Sequence, residues 1–247
     1  MEEILAEEGR REMIECNRGR MGLMQKQKIF FALGTVNTIT VFEDGCDRVL
    51  SMAAMRVREL HQKLSIFDQS SEIGKINQFA GEKPVAVSDD TFRLIQNACI
   101  YSKITNGYFD ITTKPLNTIW KEAFKTGELP SDEIVQNTKW LTDYHDIVLN
   151  EQEKTVMLKK RGQQLDLGGI AKGYAADEAK KILLENGIAN ALINFGGTVI
   201  NIGENRKIGI RNPFSKEEKP FAKIDIGNKA VVTSGIYEQC IEKNHSY

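Results

Sequence analysis

The stretch Gln164 to Asp177, Gln-Leu-Asp-Leu-Gly-Gly-Ile-Ala-Lys-Gly-Tyr-Ala-Ala-Asp, constrains this chain more than any other. An apolar segment reaches an acid, Asp166, turns on Gly168-Gly169 and enters a helix that carries Lys172 in its first turn. Paired glycines let a backbone approach a ligand closely, and a helix N-terminus offers N–H groups to phosphate. The spacing therefore predicts a strand–turn–helix junction suited to anions, with an acid beside it for a metal or a hydroxyl.

Around that junction the apolar pattern changes period repeatedly. Residues 28–43 are rich in β-branched and aromatic side chains and read as one long strand, with Gly34 a bulge or a point of close ligand approach. Val49, Leu50, Ala53, Val57, Leu60 and Leu64 recur at helical spacing. A short helix is expected at 72–77, another at 89–105 behind an N-capping Ser88, and another from Pro115 to about Phe124. Ser131 caps a helix to about Lys139, and 145–149 with 155–158 forms a hairpin. Ala171, Ala175, Ala179 and Ile182 make a narrow stripe on the junction helix, and strands are expected at 189–195, 198–202, 207–211, 221–226 and 230–233. Strands and helices interleave without regular βα alternation, which favours an α+β fold. Residues 1–25 mix acids and arginines between apolar positions and read as an N-terminal helical extension.

Composition excludes several classes of function. A net charge of −1 gives no broad attraction to nucleic acid or anionic lipid. The cysteines, Cys16, Cys46, Cys99 and Cys240, form no CxxC pair, which argues against structural zinc and for a reducing compartment. No apolar run approaches the ~20 residues a membrane span needs. Acids occupy the first positions where a secretory leader would be basic and then apolar. The expected location is cytoplasmic, with export or membrane anchoring the alternative if the native N-terminus differs.

Polar or glycine-rich stretches that can carry chemistry are Gly34-Thr35, Ser71-Glu72 with Asn77, Gly107 to Thr112, Asp166 to Lys172, and Gly196-Gly197. Taken singly each has a plain structural reading: a glycine pair as a turn, Asp110 as a turn cap, Lys172 as a solvated helix lysine, Phe67 as a core aromatic.

In order along residues 28–247, however, the chain carries Leu-Gly-Thr (33–35), Leu-Ser-Ile-Phe-Asp-Gln-Ser-Ser-Glu-Ile-Gly-Lys-Ile-Asn (64–77), Thr-Asn-Gly-Tyr-Phe-Asp-Ile-Thr (105–112) and Pro-Leu-Asn-Thr-Ile-Trp (115–120). Next come Asp-Leu-Gly-Gly-Ile-Ala-Lys-Gly-Tyr-Ala-Ala-Asp (166–177), Asn-Phe-Gly-Gly (194–197), Gly-Ile-Arg-Asn-Pro (209–213) and Thr-Ser-Gly-Ile-Tyr-Glu (233–238). This series resembles the ApbE-type family, the FAD:protein FMN transferases. The resemblance implies one compact domain over 28–247 of mixed sheet and helices, ApbE-like and related to T-folds. It implies FAD as substrate, Mg²⁺ as cofactor, and transfer of FMN to a Ser or Thr hydroxyl of an acceptor flavoprotein with release of AMP.

By position, the resemblance places Leu33 and Phe67 beside the flavin, and Tyr108, Phe109 and Asp110 as a second wall of the FAD site. Asp166 and Lys172 hold the cofactor, and the Gly169 carbonyl is a Mg²⁺ ligand. Thr233 and Ser234 either lie near the site or form a strand-end turn. Leu33 stands where many relatives have Met, a volume-conserving exchange. Such proteins continue into a His-x-x-Asp-Pro-x-Thr-Gly segment and a later Asp/Thr pair that complete the metal site, whereas this chain stops at Asn244-His245-Ser246-Tyr247. The expectation is therefore a domain truncated at its C-terminus. The alternatives to transfer are a catalytically impaired FAD-binding remnant and a pyrophosphatase giving FMN and AMP.

Overall fold

In the computed structural model, residues 13–18, 24–212 and 220–234 are described. The rest of the proposed N-terminal extension, Pro213, residues 235–238 and the terminal His245-Ser246-Tyr247 lie outside the described residues. The α+β class expected from the sequence holds, and the chain divides into two compact units, Met1–Glu59 with Lys172–Tyr247, and Leu60–Ala171.

The first unit is built on a six-stranded sheet of order β1-β2-β3-β7-β8-β11, antiparallel throughout. Its strands are β1 (Met13–Arg18), β2 (Met24–Ala32), β3 (Thr35–Val41), β7 (Ala191–Phe195), β8 (Thr198–Ile202) and β11 (Ala230–Val232). Two expectations fail here. Met13–Arg18 is strand, not helix, because its backbone pairs with β2 from Met13↔Ile29 to Arg18↔Met24. Residues 28–43 are not one strand but two, reversed at Leu33-Gly34 with Ala32 opposite Thr35. Both turn residues have positive φ, +55° and +73°, as a type I′ hairpin turn demands.

Helix α1 (Asp47–Leu64) buries Leu50, Ala53 and Val57 completely, as the spacing predicts. The junction helix, α6 (Ala171–Glu185), buries Ala171, Ala175 and Ala179 of the expected stripe together with Ala176, but Leu183 rather than Ile182 completes it, Ile182 being only half-buried. Short side chains on that stripe allow close packing, and the Arg56 guanidinium ties the two helices by donating to Glu178 at 2.7 and 3.0 Å. Core leucines of this kind contribute about 1.5–3 kcal/mol each on burial. A separate hairpin joins β9 (Arg206–Ile210) to β10 (Ala222–Ile226).

The second unit is one continuous run. It holds α2 (Glu72–Gln78), α3 (Asp89–Ile104), α4 (Lys114–Thr126), α5 (Asp132–Lys139) and a three-stranded sheet of order β4-β6-β5. Its strands are β4 (Val85–Ala86), β5 (Ile147–Asn150) and β6 (Thr155–Leu158). Ser131 caps α5 as expected, accepting from the Ile134 amide. Ser88 is the N-cap residue of α3 but does not cap it with its side chain. Its hydroxyl donates instead to the Glu72 carboxylate at 3.0 Å, a charged and therefore stronger acceptor.

Candidate functional site

Within the second unit the fold brings three sequence-distant stretches together. The first is the loop after α3, where Asn106 and Gly107 take positive φ and end the helix. The Gly107 amide closes that turn on the Ser102 carbonyl. Asp110 then organises the rest of the loop. Its Oδ1 accepts from the Thr112 amide at 2.7 Å and the Thr112 hydroxyl at 2.6 Å, and its Oδ2 accepts from the Tyr144 amide at 3.0 Å. The carboxylate is thus occupied in shaping the loop.

The second stretch is the junction itself. Gln164 pairs with Thr113 through an isolated parallel bridge, and the Asp166 amide donates to the Ile111 carbonyl at 2.7 Å. Asp166 Oδ1 accepts from the Gly168 amide at 2.8 Å, an Asx turn that reverses the chain into α6. Asp166 Oδ2 carries no hydrogen bond among the described residues. Phe109 lies against Gly169 so closely that a Cβ there would stand 3.2 Å from the ring. A side chain at 169 would need that ring to give by a few tenths of an ångström, and the backbone angle there makes no demand for glycine. Both glycines are exposed, and Lys172 comes next, half-buried, in the first turn of α6.

The third stretch is 65–77. Ser71 caps α2, accepting from the Gly74 amide at 2.8 Å while its hydroxyl donates to the Ser65 carbonyl at 2.6 Å. Asn77, near the end of that helix, holds the main chain of Leu165. Of the unit's exposed aromatic side chains the two most exposed are Phe67, at 85%, and Tyr108, at 97%. Phe67 is therefore no core aromatic, and both rings are free to cover a planar ligand.

In the first unit, one end of the sheet gathers the remaining stretches. The Leu33-Gly34 turn and the Gly196-Gly197 turn, again with both φ positive, lie on adjacent hairpins. A Cβ on Gly196 would fall 2.8 Å from the Thr35 side chain. The Thr233 amide donates to the Gly197 carbonyl at 3.1 Å, which brings Thr233 to the same end. Leu33 is half-buried in the left-handed region, a conformation costing a non-glycine residue roughly 1–2 kcal/mol. Asn37, fully buried, donates to the carbonyls of Ala32 and Thr35 on either side of that turn, at 2.8 and 3.0 Å.

Sequence reasoning gave Asn77, Thr112 and Asn37 no role in holding these turns. The available signal was a polar side chain next to a glycine-containing motif, which states that something is bound but not which backbone group.

The ApbE family model matches residues 33–247. The FAD:protein FMN transferase of Klebsiella pneumoniae (strain 342) is 34% identical over 188 residues, 76% of this chain and 59% of that protein. The FAD:protein FMN transferase of Treponema pallidum (strain Nichols) is 25% identical over 92% of this chain and 68% of its own. Among solved structures, the ApbE protein of Thermotoga maritima superposes with a TM-score of 0.78 at 28% identity, covering 96% of this chain and 74% of that one. The flavin transferase ApbE of Vibrio cholerae, at 21% identity and a TM-score of 0.74 over 90% of this chain and 75% of its own, shares the fold. The chain spans about three-fifths of the length of the Klebsiella relative.

Proposed function

The chain belongs to the ApbE family, matched over residues 33–247, and from that premise we propose that it is an FAD:protein FMN transferase. The observation that carries the reading is the junction in the second unit. An acid with one oxygen uncommitted and an exposed glycine pair are held against the Asp110 loop, with Phe109 on Gly169. Relatives named for this activity supply the substrate class.

In the proposed reaction an acceptor Ser or Thr oxygen bonds to the FMN-side phosphorus of FAD, the bridging P–O bond breaks and AMP leaves with the bridging oxygen. Catalysis of such a step is mostly positioning and charge neutralisation. Lys172 and the start of α6 offset phosphate charge, and Asp166 Oδ2 is the oxygen left to hold or receive a proton. In the second unit Phe67 and Tyr108 provide exposed apolar surface for the flavin.

Magnesium favours oxygen donors and completes its shell with substrate phosphate and water. The Gly169 carbonyl suits it in kind, although among the described residues no group of three or more His, Cys, Asp or Glu side chains gathers. When bound, Mg²⁺ would supply further neutralisation of the pyrophosphate.

Among the described residues no helix is long and apolar enough to cross a membrane. Action in the cytoplasm, without nucleic acid, is part of the proposal and rests on the dispersed cysteines and the near-zero net charge; cell fractionation tests it. The central experiment incubates the purified chain with FAD, Mg²⁺ and a flavoprotein bearing an acceptor Ser or Thr. Acid-stable flavin fluorescence on the acceptor, with one AMP per flavin, is expected. Free FMN and AMP without labelling would make the chain a pyrophosphatase. FAD binding without AMP release would make it an impaired binder, and no binding at all would overturn the reading.

A further inference from the structure

We infer that helix α2 is a strut joining the Phe67 loop to the Asp166 turn, and that Asn77 is the positioning residue that sets Asp166. The inference rests on the proposed flavin transfer, since it concerns how the two ends of FAD are presented to the second unit.

At one end the strut is pressed onto the loop. A Cβ on Gly74 would lie 2.1 Å from the Asp68 carbonyl oxygen and 2.8 Å from Gln69 Cα, so the helix touches the loop backbone directly. The loop is closed on itself as well. Ser65 Oγ accepts from the amides of Phe67 and Asp68 at 3.3 Å, and Asp68 Oδ1 accepts from the Ser70 amide at 2.8 Å and hydroxyl at 2.7 Å. Phe67 is thus carried on a loop whose shape does not depend on the other end of the helix.

At the far end Asn77 grips a single residue. Its Oδ1 accepts from the Leu165 amide at 2.7 Å and its Nδ2 donates to the Leu165 carbonyl at 3.1 Å. Regular sheet pairing does not reach this point, because the bridge to Thr113 is made by Gln164 alone. Asn77 therefore stands in for a neighbouring strand at the residue before Asp166, offering donor and acceptor together as only a carboxamide of this length does. On the next residue the Ile111 carbonyl takes the Asp166 amide, so the pair Leu165-Asp166 is held from two directions. Removing Asn77 releases one of them and leaves the Phe67 loop intact.

The test uses the full chain with Asn77→Ser, and with Asn77→Asp, which keeps the acceptor and loses the donor. Affinities for FAD and for riboflavin, which lacks phosphate, are read by flavin fluorescence, alongside amide hydrogen exchange and thermal melting. Asn77→Ser is expected to weaken FAD about tenfold, the scale of a lost hydrogen bond or two, with riboflavin changed less than about twofold. Exchange at the Leu165 and Asp166 amides should rise about tenfold while the amides of α3 hold. Asn77→Asp should fall between, and it carries the comparison if the serine variant does not fold. Equal weakening of both flavins, or a lowered melting temperature with FAD affinity unchanged, would reduce Asn77 to a purely structural role. An unaltered chain that binds neither flavin would overturn the functional reading instead, and exchange at Leu165 would still decide whether the clamp exists.

Discussion

The two units weight the same two turn devices differently: Asn37 clamps one turn of the first and Asn106-Gly107 take positive φ in the second, but the emphasis around the candidate site is reversed. At the sheet end of the first unit the chain reverses by backbone conformation: Leu33, Gly34, Gly196 and Gly197 all sit at positive φ. In the second unit the decisive turns are held by polar side chains, with Asp110 on Thr112 and Tyr144, Asn77 on Leu165, and Asp166 on Gly168. A turn set by backbone angle is damaged by adding a Cβ. A turn set by a side-chain clamp is damaged by changing one donor or acceptor at constant shape.

The comparison breaks most visibly at Gly74, which behaves as a backbone-type position inside the clamp-built unit. Gly74→Ala forces a Cβ against the Asp68 and Gln69 backbone, and a loss of about 3 kcal/mol or more is expected in denaturant unfolding. Gly196→Ala meets both a positive φ of 54° and the Thr35 side chain, and should cost about 2–3 kcal/mol by the same measurement. Asp110→Asn preserves shape but turns an amide group toward either Tyr144 or Thr112. A loss of about 1–2 kcal/mol is expected, with FAD binding weakened in step because the loop presents Phe109.

Leu33→Gly sharpens the contrast differently. It relieves roughly 1 kcal/mol of left-handed strain and adds a similar chain entropy to the unfolded state. Stability should therefore barely move while flavin affinity drops, which separates strain held for binding from strain held for folding.

The smallest effect concerns acid. Burial raises the Asp143 carboxyl, but the backbone and ring of His145, with Lys160 nearby, more than reverse this and hold it below the usual carboxylate range. Its contribution is complete above the ordinary aspartate pKa and fades as pH falls through the lowered value. Thermal melts below about pH 4 should show a slight loss of stability that Asp143→Asn removes.

How far each unit could be read from sequence depends on the same contrast. Periodicity located α1 and α6 to within a residue or two, because the burial of Leu50, Val57 and Ala175 is a local pattern. Gly196-Gly197 between apolar runs announced a hairpin. Leu33-Gly34 did not, since leucine is rarely tolerated at positive φ and the run of β-formers continued through it. The Met13–Arg18 strand was hidden because its pairing is with β2, and its own composition mixes charged and apolar residues. The motif residues of the site stood out in the sequence. Their supports did not: a bond such as Asn77 to Leu165 joins positions far apart in the chain, and nothing at either end encodes the partner.

The order of strands in the first unit carries a consequence for how the protein is made. β3 pairs with β7, so Val41 must wait for Ala191, and the whole of Leu60–Ala171 is synthesised in between. The inserted unit is one continuous run, whereas the sheet of the first unit closes a very long loop. On the ribosome the inserted segment emerges while β1, β2 and β3 are still a three-stranded meander whose β3 edge is exposed. That edge is the natural place for a chaperone to bind, and for aggregation when synthesis stalls before residue 191.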